Sequence, residues 1–326
     1  MTANIVYSPD YDFRVGPLAV LHPFDAARYS RTFAELRSAL AAEDGRSLAY
    51  RLLAPDAPVS DDQLRAVHTE QHITRMRNAR NVLDALGLGS LAPLFFLPFA
   101  AEWLQSSVVG PMRLACAGTH LAAEMSVDTS GLVVHLGGGY HHAAPDRAEG
   151  FCLYSDIGLA IRRLYSTGRL SPDSVINIVD VDAHQGNGLQ RVFRDDQRIK
   201  FLDVFNRDIY PADLAAMDRI DLPVPVRSGT NGRMYLRLLE DALSRIPASS
   251  LAFAVLGNDV LDSDQLGQLA LTDRDVHRRD AMVVERLRES SLAVVTTMAG
   301  GYSVESAAVA GRSLASVLLA SDAGLS

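Results

Sequence analysis

The sequence predicts an α/β fold in which helices cover both faces of a central parallel β-sheet. Four short apolar runs, most of them rich in β-branched residues, have the length and composition of buried strands. Stretches with apolar residues at helical spacing lie between them, as in chains that build open parallel sheets. The predicted strands cover residues 131–136, 175–179, 251–256 and 292–298.

Seven stretches around these runs predict amphipathic helices, because apolar residues recur in them every three or four positions. Several begin at Thr, Ser or Asp, whose side chains can accept hydrogen bonds from the first N–H groups of a helix. The predicted helices cover residues 25–42, 69–86, 111–125, 156–167, 232–246, 272–289 and 303–319.

The second apolar run ends in Asp180-Val181-Asp182-Ala183-His184, which presents two carboxylates and an imidazole at alternate positions. Side chains alternate between the faces of an extended segment, so Asp180, Asp182 and His184 are expected to converge on one point. Oxygen and nitrogen ligands together suit a divalent transition metal, and the segment therefore predicts a metal site. The structural alternative is that Asp180 caps a helix, Asp182 forms a turn and His184 lies on the surface.

The other three runs also end in glycine and then in a group capable of acid, base or ligand chemistry. Asp259 is the best candidate for a third metal ligand, although an aspartate there can also cap a helix. His141 and His142 follow three glycines and can reach one substrate side by side, and the pair alone is equally compatible with a structural role. Tyr302 follows two glycines and offers a hydroxyl donor that can polarise a carbonyl. Together the four strand ends predict one crevice.

Six short motifs match a known family. They are GGYHHA at 138–143, GFC at 150–152, DVDAHQGNG at 180–188, DVFNR at 203–207, DVLDSD at 259–264 and GGY at 300–302. With earlier segments at 5–9, 21–26 and 96–98, they resemble the zinc-dependent histone deacetylases, and most closely the class IV branch. The resemblance spans nearly the whole chain and implies the arginase/deacetylase-like fold, as a single catalytic domain over residues 1–326.

The resemblance implies hydrolysis of an Nε-acyl-lysine amide, acetyl or long-chain fatty acyl, to a free amine and a carboxylate. It assigns metal binding to Asp182, His184 and Asp259. Zn²⁺ is the expected ion, and Fe²⁺ also fits two carboxylates and one imidazole. The metal would lower the pKa of a bound water and act as a Lewis acid on the amide oxygen.

His141, His142 and Tyr302 match the family's tandem histidines and its carbonyl-polarising tyrosine. His142 is expected to shuttle a proton from water to the leaving amine, while His141 stabilises charge. Tyr302, together with the metal, is expected to hold the oxyanion of the tetrahedral intermediate.

Asp180 is expected to accept a hydrogen bond from His141 and so fix the tautomer of that imidazole. Many relatives have a carboxylate beside the second histidine, whereas this chain has Asn187, as class IV members do. His142 is therefore expected to be less basic than in those relatives. The resemblance also implies a structural K⁺ ion. Its matching ligand positions are Asp180, Asp182, His184, Asp203 and Val204.

A substrate channel is expected from the same resemblance. Phe151, with Gly150 before it, and Tyr210 match the two aromatic walls that hold the methylene stem of lysine, and Leu266 lies near the rim. A narrow apolar tube suits a (CH₂)₄ chain and excludes water. Ordinary core packing is the alternative for each of these apolar side chains.

The composition is that of a compact enzyme. The chain has 326 residues, of which 48% are hydrophobic, and contains no linker, repeat or charge run that would divide it. A net charge of −8 argues against general nucleic-acid binding. Cys116 and Cys152 lack metal-site spacing, which favours a reducing compartment. No signal-like N-terminus or long apolar run is present, so a cytoplasmic location is expected, or a nuclear one in a eukaryote.

Rival functions use parts of the same pattern. An arginase-type ureohydrolase needs an aspartate where this chain has Gly186. A dinucleotide-binding oxidoreductase needs G-x-G-x-x-G, and His142 occupies the last glycine position. A non-enzymatic acyl-lysine reader has no need of the ligands, histidines and tyrosine, which are all present. An amidohydrolase acting on acylated polyamines or another small-molecule amide would use the same residues, so the partner is an acyl-lysine protein or peptide, or an acylated small molecule.

Overall fold

The computed structural model describes residues 3–16, 22–42, 48–95 and 98–323, so Leu21, Phe96 and Leu97 of the early family-like segments lie outside the described residues. Eight strands of the described part form one sheet in which every pair is parallel. They are β1 (Ala3–Val6), β2 (Tyr50–Leu53), β3 (Leu132–His135), β4 (Ile176–Asp180), β5 (Ile199–Asn206), β6 (Leu222–Val226), β7 (Leu251–Leu256) and β8 (Val294–Met298). The predicted α/β class with a parallel sheet is confirmed.

Helices connect the strands. Within the described ranges the α-helices are α1 (Arg28–Ala42), α2 (Asp61–Leu64), α3 (Glu70–Arg75), α4 (Ala79–Ala85), α5 (Pro98–Leu104), α6 (Gly110–Thr129), α7 (Asp156–Ser166), α8 (Asn187–Val192), α9 (Leu214–Met217), α10 (Gly232–Leu243), α11 (Asp273–Ser290) and α12 (Ser306–Ala323). None of them, over the residues described, is long and apolar enough to cross a membrane.

The predicted helix over 69–86 is wrong as one element, because the chain forms α3 and α4 with a break between them. Met76 ends the first helix, and Asn78 begins the second by accepting a hydrogen bond from the Arg80 backbone N–H at 2.9 Å. Asparagine competes with helical hydrogen bonding through its own side chain, so it is better suited to a cap than to a helix interior.

Alternate residues of the strands pack into two separate apolar clusters, one on each face of the sheet. On β7, Ala252, Ala254 and Leu256 belong to one cluster, whereas Phe253 and Val255 belong to the other. Because side chains alternate along a strand, burial of both sets means that both faces are covered.

Four strands, β1, β2, β5 and β6, are absent from the sequence prediction. The β6 segment contains Pro223 and Pro225, which argue against a strand in the middle of a sheet. The sheet order is β2-β1-β3-β8-β7-β4-β5-β6, so β6 is an edge strand and pairs with β5 alone. An edge strand tolerates proline because one side of its backbone needs no ladder partner.

This order brings the chemistry-bearing loops together. Strands β3, β8, β7 and β4 are consecutive in the sheet, and each of the four predicted strand ends follows one of them. All strands run parallel, so the carboxyl ends of these four lie at the same edge.

Candidate active site

Asp182, His184 and Asp259 lie close enough to share one metal ion. Their ligand atoms all lie within 4.8 Å of one another, and the three residues are buried. The Nδ1 atom of His184 is 2.7 Å from Asp259 Oδ2 and 3.1 Å from Asp182 Oδ1. Two carboxylates and an imidazole form a donor set that suits Zn²⁺ or Fe²⁺.

The electrostatics of these three residues fit a cation. Burial and the neighbouring Asp182 carboxylate raise the pKa of Asp259 to about 7. Burial opposes charge on His184, but its hydrogen bonds and charge interactions with both carboxylates raise its pKa to about 10. Buried carboxylates are costly unless a positive group compensates them, and a divalent ion would compensate both.

Glycines allow the backbone to pack directly on these carboxylates. A Cβ atom on Gly300 would lie 2.5 Å from Asp259 Oδ2 and 2.6 Å from Asp182 Oδ2, and one on Gly257 would overlap Asp182. The Gly300 N–H donates to Asp182 Oδ2 at 2.6 Å. The glycines at the ends of β7 and β8 therefore make room for the ligand groups.

Asp180 does not join this cluster. Strand β4 ends at Asp180, and Asp182 and His184 lie in the irregular loop beyond it. The expectation that 180–184 continues as an extended segment is therefore wrong, because the alternation of faces stops where the strand stops. Asp180 instead faces His141, whose Nδ1 is 2.8 Å from Asp180 Oδ2.

His141 and His142 lie side by side next to the metal-ligand cluster, with ring centroids 4.1 Å apart. The Nδ1 atom of His142 is 2.7 Å from Asn187 Oδ1. Carboxylate and amide oxygens accept hydrogen bonds, so each histidine donates from Nδ1 and keeps Nε2 as its remaining ring nitrogen. The structure places both histidines against the neighbours expected from the sequence.

The two histidines differ in charge. Burial opposes charge on His141, but the carboxylates of Asp180 and Asp182 outweigh burial and raise its pKa to about 9. Burial and the positive charges of His141 and His184 lower the pKa of His142 well below 6.5. Asn187 brings no negative charge to offset them. His141 is thus suited to stabilising negative charge, and neutral His142 is suited to accepting a proton.

Tyr302 lies over the cluster with its ring edge-on to His184, at a centroid distance of 6.4 Å. Burial and the nearby carboxylates of Asp182 and Asp259 raise the pKa of Tyr302 well above 10. A phenol with such a pKa keeps its proton and can donate a hydrogen bond.

Asp180 and Asp203 form a second buried acidic pair. They are register partners on β4 and β5. Asp203 Oδ2 accepts hydrogen bonds from Gly186 N at 3.0 Å and from Gln190 Nε2 at 2.6 Å, whereas Oδ1 has no partner among the described residues. Burial and Asp180 raise the pKa of Asp203 well above its usual range. An orphaned oxygen in an acidic pair fits a bound monovalent cation.

The expected channel residues are only partly brought together. The Tyr210 ring is 5.3 Å from that of His142, and 47% of Tyr210 is exposed. Phe151 lines a surface groove together with Tyr210, and Gly150 packs so closely on His142 that a Cβ atom would overlap its ring. Leu266 is half-buried and lines neither this groove nor the two small cavities near it, so its channel role stays a prediction.

Two further small cavities are found among the described residues, and the first shares Gly150 and Phe151 with the groove. The first, of about 40 Å³, is lined by both histidines and Tyr302. The second, of about 50 Å³, is almost entirely apolar. The two share a wall, which is formed by Phe13, His22, Phe24 and Leu86.

Sequence reasoning missed several residues that hold the site in place. Arg279 on α11 is fully buried, and its guanidinium donates to the backbone oxygens of Val181 at 3.1 Å and Gly257 at 2.6 Å, next to the ligand loops. Asp264 accepts the Tyr302 backbone N–H at 2.6 Å. The DVLDSD motif contains Asp264 and could have indicated it as a site residue. Arg279 lies in a charged helix without any motif that would indicate such a role.

Comparisons with known proteins identify the family of this chain. The histone deacetylase domain family matches residues 22–318. The chain belongs to the histone deacetylase family. It is similar to histone deacetylase 2 of Arabidopsis thaliana, with 34% identity over 314 residues that cover 95% of this chain and 77% of that protein. It is also similar to an uncharacterized protein of Picosynechococcus sp., with 29% identity over 91% of each chain.

Solved structures of histone deacetylase homologues have the same fold. The HD domain of HDA15 gives a TM-score of 0.73 at 20% identity and covers 98% of this chain and 92% of that chain. An HDAC homologue from Aquifex aeolicus gives 0.72 at 20% identity and covers 98% of this chain and 84% of its own. The histone deacetylase fold is therefore confirmed. Membership of the histone deacetylase family sets aside the ureohydrolase and oxidoreductase alternatives, while the class IV assignment stays a prediction.

Proposed function

We propose that this protein hydrolyses the amide of Nε-acyl-lysine with a divalent metal ion held by Asp182, His184 and Asp259. One observation carries the proposal: the three ligand groups lie within 4.8 Å of one another beside two histidines and a tyrosine. The relative named histone deacetylase 2 supports the same reaction class. Asn187, which the sequence shares with class IV members, supports a place in that branch.

Zn²⁺ is the proposed ion, and Fe²⁺ fits the same donor set. When bound, the ion would lower the pKa of a water molecule and polarise the amide oxygen. We also propose a structural K⁺ ion beside Asp180 and Asp203, supported by the orphaned Asp203 Oδ1. Its other expected neighbours are Asp182, His184 and Val204.

The side chains of this site supply the proton chemistry. His142 is neutral and has Nε2 available, so it takes a proton from the attacking water and returns one to the leaving lysine amine. His141 carries positive charge and stabilises the tetrahedral intermediate. Tyr302 keeps its proton and donates a hydrogen bond to the oxyanion.

The lysine stem enters between Phe151 and Tyr210, the aromatic residues of the surface groove. Their rings cover the methylene groups and exclude water from the reacting amide. We place the protein in the cytosol, in keeping with the free, buried thiols of Cys116 and Cys152.

The two cavities bear on the acyl group. A void that holds one water molecule measures roughly 10–15 Å³, so cavities of about 40 and 50 Å³ are each small. An acetyl group needs only the first cavity. A longer chain would reach the second cavity only if the wall of Phe13, His22, Phe24 and Leu86 moved. We therefore expect acetyl groups to be cleaved faster than octanoyl or myristoyl groups.

Hydrolysis of one lysine peptide carrying an acetyl, octanoyl or myristoyl group tests the proposal, with zinc-loaded wild type and Tyr302→Phe in parallel. The variant should lose about 10²- to 10³-fold in kcat, because one oxyanion donor is removed, while it retains its zinc. Fastest turnover of the octanoyl or myristoyl peptide would contradict the size argument alone. Cleavage of acylated polyamines but of no acylated peptide would contradict the lysine substrate and favour the small-molecule alternative.

A further inference from the structure

We propose that Glu149 is a positioning residue that fixes the tautomer of His142 through the side chain of Asn187. The inference rests on the proposed function of His142 as the proton carrier. The geometry that suggests it is a continuous chain of hydrogen bonds from the site toward its rim. Asn187 Oδ1 lies 2.7 Å from His142 Nδ1, and Asn187 Nδ2 donates to Glu149 Oε1 at 2.8 Å.

The orientation of the Asn187 amide decides which nitrogen of His142 carries the proton. With its oxygen toward His142, the amide accepts from Nδ1–H, so Nε2 keeps the lone pair needed to take a proton. With its NH₂ group toward His142, the amide would donate to Nδ1, and the ring proton would move to Nε2. In that second tautomer Nε2 already carries the proton, so it cannot accept one from water.

Asn187 alone does not choose between these orientations, because oxygen and NH₂ have nearly the same shape. Glu149 makes the choice, since its Oε1 accepts a hydrogen bond from the Asn187 NH₂ group and therefore holds that end of the amide. Rotation of the amide would turn its oxygen toward the Glu149 carboxylate and lose this bond.

The local backbone holds Glu149 where it can do this. Gly150 has φ +55° and packs against the His142 ring, which leaves no room for a side chain between them. The backbone N–H of Cys152 donates to the Glu149 carbonyl at 3.0 Å and closes the turn. On the other side, Gly188 in the first turn of α8 packs against the His142 backbone, where a Cβ atom would overlap it. Asn187, itself 1% exposed, is thereby fixed between the two segments.

The arrangement differs from that of His141, where Asp180 contacts the imidazole directly. A carboxylate presents an acceptor whichever way it is turned, so His141 needs no further residue to fix its tautomer. At His142 the carboxylate is that of Glu149, which reaches the ring only through the side chain of Asn187. The tautomer is therefore fixed without a negative charge next to the ring.

A double-mutant cycle between positions 149 and 187 tests the inference. In zinc-loaded protein, Glu149→Ala should allow the Asn187 amide to turn, so that ¹⁵N-histidine spectra show the Nε2–H tautomer of His142 appearing. kcat for the best acyl-lysine peptide should fall about 10- to 100-fold, as for other residues that orient catalytic groups, with KM nearly unchanged. The His142 signal, one of nine histidines, is assigned by its absence in His142→Gln.

The second half of the cycle uses Asn187→Asp, in which the neighbour of His142 accepts in either orientation. Adding Glu149→Ala to Asn187→Asp should change neither the tautomer nor kcat, so the two effects are strongly non-additive. Glu305→Ala, an exposed glutamate in the loop after Tyr302, is the control and should resemble wild type in every background.

Two results would overturn the inference: an unchanged His142 tautomer in Glu149→Ala, or an equal loss of kcat from Glu149→Ala in both backgrounds. The spectra report the tautomer without turnover. If wild type cleaves no acyl-lysine peptide but Glu149→Ala still shifts the tautomer, the positioning role stands and the proposed function fails.

Discussion

Two groups of buried histidines in this protein show how the partners of an imidazole decide its chemistry. His141 and His142 lie in the candidate active site, and His68 and His135 lie in the core away from it. All four are at most 4% exposed, so burial alone does not separate them. The difference lies in what each ring nitrogen contacts.

The core histidines use both nitrogens in structural hydrogen bonds. His68 Nδ1 is 3.1 Å from the Ala144 carbonyl oxygen, and its Nε2 accepts the Ser155 N–H at 2.9 Å. His135 lies 3.2 Å from the Thr119 hydroxyl and 3.3 Å from the Tyr11 hydroxyl. Their partners carry no charge, and burial lowers the pKa of each to about 3. Such histidines stay neutral and have no nitrogen to offer a substrate.

The site histidines commit only Nδ1 to a hydrogen-bond partner, and one of the two partners is a carboxylate. Among these four histidines, a ring nitrogen left uncommitted beside the metal-ligand cluster, rather than burial, distinguishes those able to carry out proton chemistry from those that support the fold. The substitutions below test this difference.

The largest effect is expected at His142. His142→Ala should lower kcat about 10²- to 10⁴-fold, because a positioned general acid–base group is removed. Zinc binding should be retained, since the metal-ligand cluster consists of other residues. Steady-state kinetics with a metal analysis of the same sample checks both points. A variant with normal kcat would show that the free Nε2 has no role in turnover.

His184 should respond through the metal instead. His184→Gln removes the only imidazole of the metal-ligand cluster. Loss of a residue that merely orients a metal ligand typically lowers metal affinity about 10- to 100-fold, so loss of the ligand itself should lower zinc affinity about a hundredfold or more. Competition with a chelating dye measures the affinity. Asp262→Asn, an exposed residue near Asp259, is the control and should bind zinc like wild type. Equal affinities for His184→Gln and wild type would exclude His184 as a ligand.

Much of this site could be predicted because its signals are local. Three of the four predicted strands are apolar runs that lead into glycine and then a reactive group, and the fourth leads directly into Asp180; a parallel sheet brings such ends to one edge. The glycines have a tertiary reason that the sequence only hints at: Gly257 and Gly300 contact the Asp182 carboxylate. The strand ends were informative because the reactive side chains and the glycines that make room for them are neighbours in the sequence there.

The supporting residues could not be predicted, because their partners are distant in the sequence. Arg279 reaches Val181, 98 positions away, and its helix reads as a charged surface helix. Glu149 reaches Asn187 only because two loops pack through glycines. The extended reading of 180–184 failed for a related reason, since the sequence does not indicate that β4 ends at Asp180.

A core histidine should affect stability rather than turnover. His135→Gln leaves the Thr119 and Tyr11 hydroxyls with a poorer partner, so the free energy of unfolding should fall by about 1–3 kcal/mol. kcat of the folded variant should stay near the wild-type value. Denaturant unfolding and kinetics on one preparation separate the two quantities. A large loss of kcat in fully folded His135→Gln would break the distinction between the two groups of histidines.

The last prediction concerns the pH dependence of stability. Burial lowers the pKa of His135 to about 3 in the folded chain, against 6.5 for an unperturbed histidine. Between these values the unfolded state binds the extra proton, so the contribution of His135 is complete above about pH 6.5 and is lost as the pH falls toward 3. One such group gives a slope of up to about 1.4 kcal/mol per pH unit.

Glutamine binds no proton, so the stability of His135→Gln should depend on pH less steeply, by up to that slope, between about pH 4.5 and 6. Denaturant unfolding of metal-free protein measures both curves without the metal's own pH dependence, and His68 is present in both proteins, so the difference belongs to His135. Parallel curves would mean that His135 takes up a proton as readily in the folded chain as in the unfolded one, and burial would then not be what keeps it neutral.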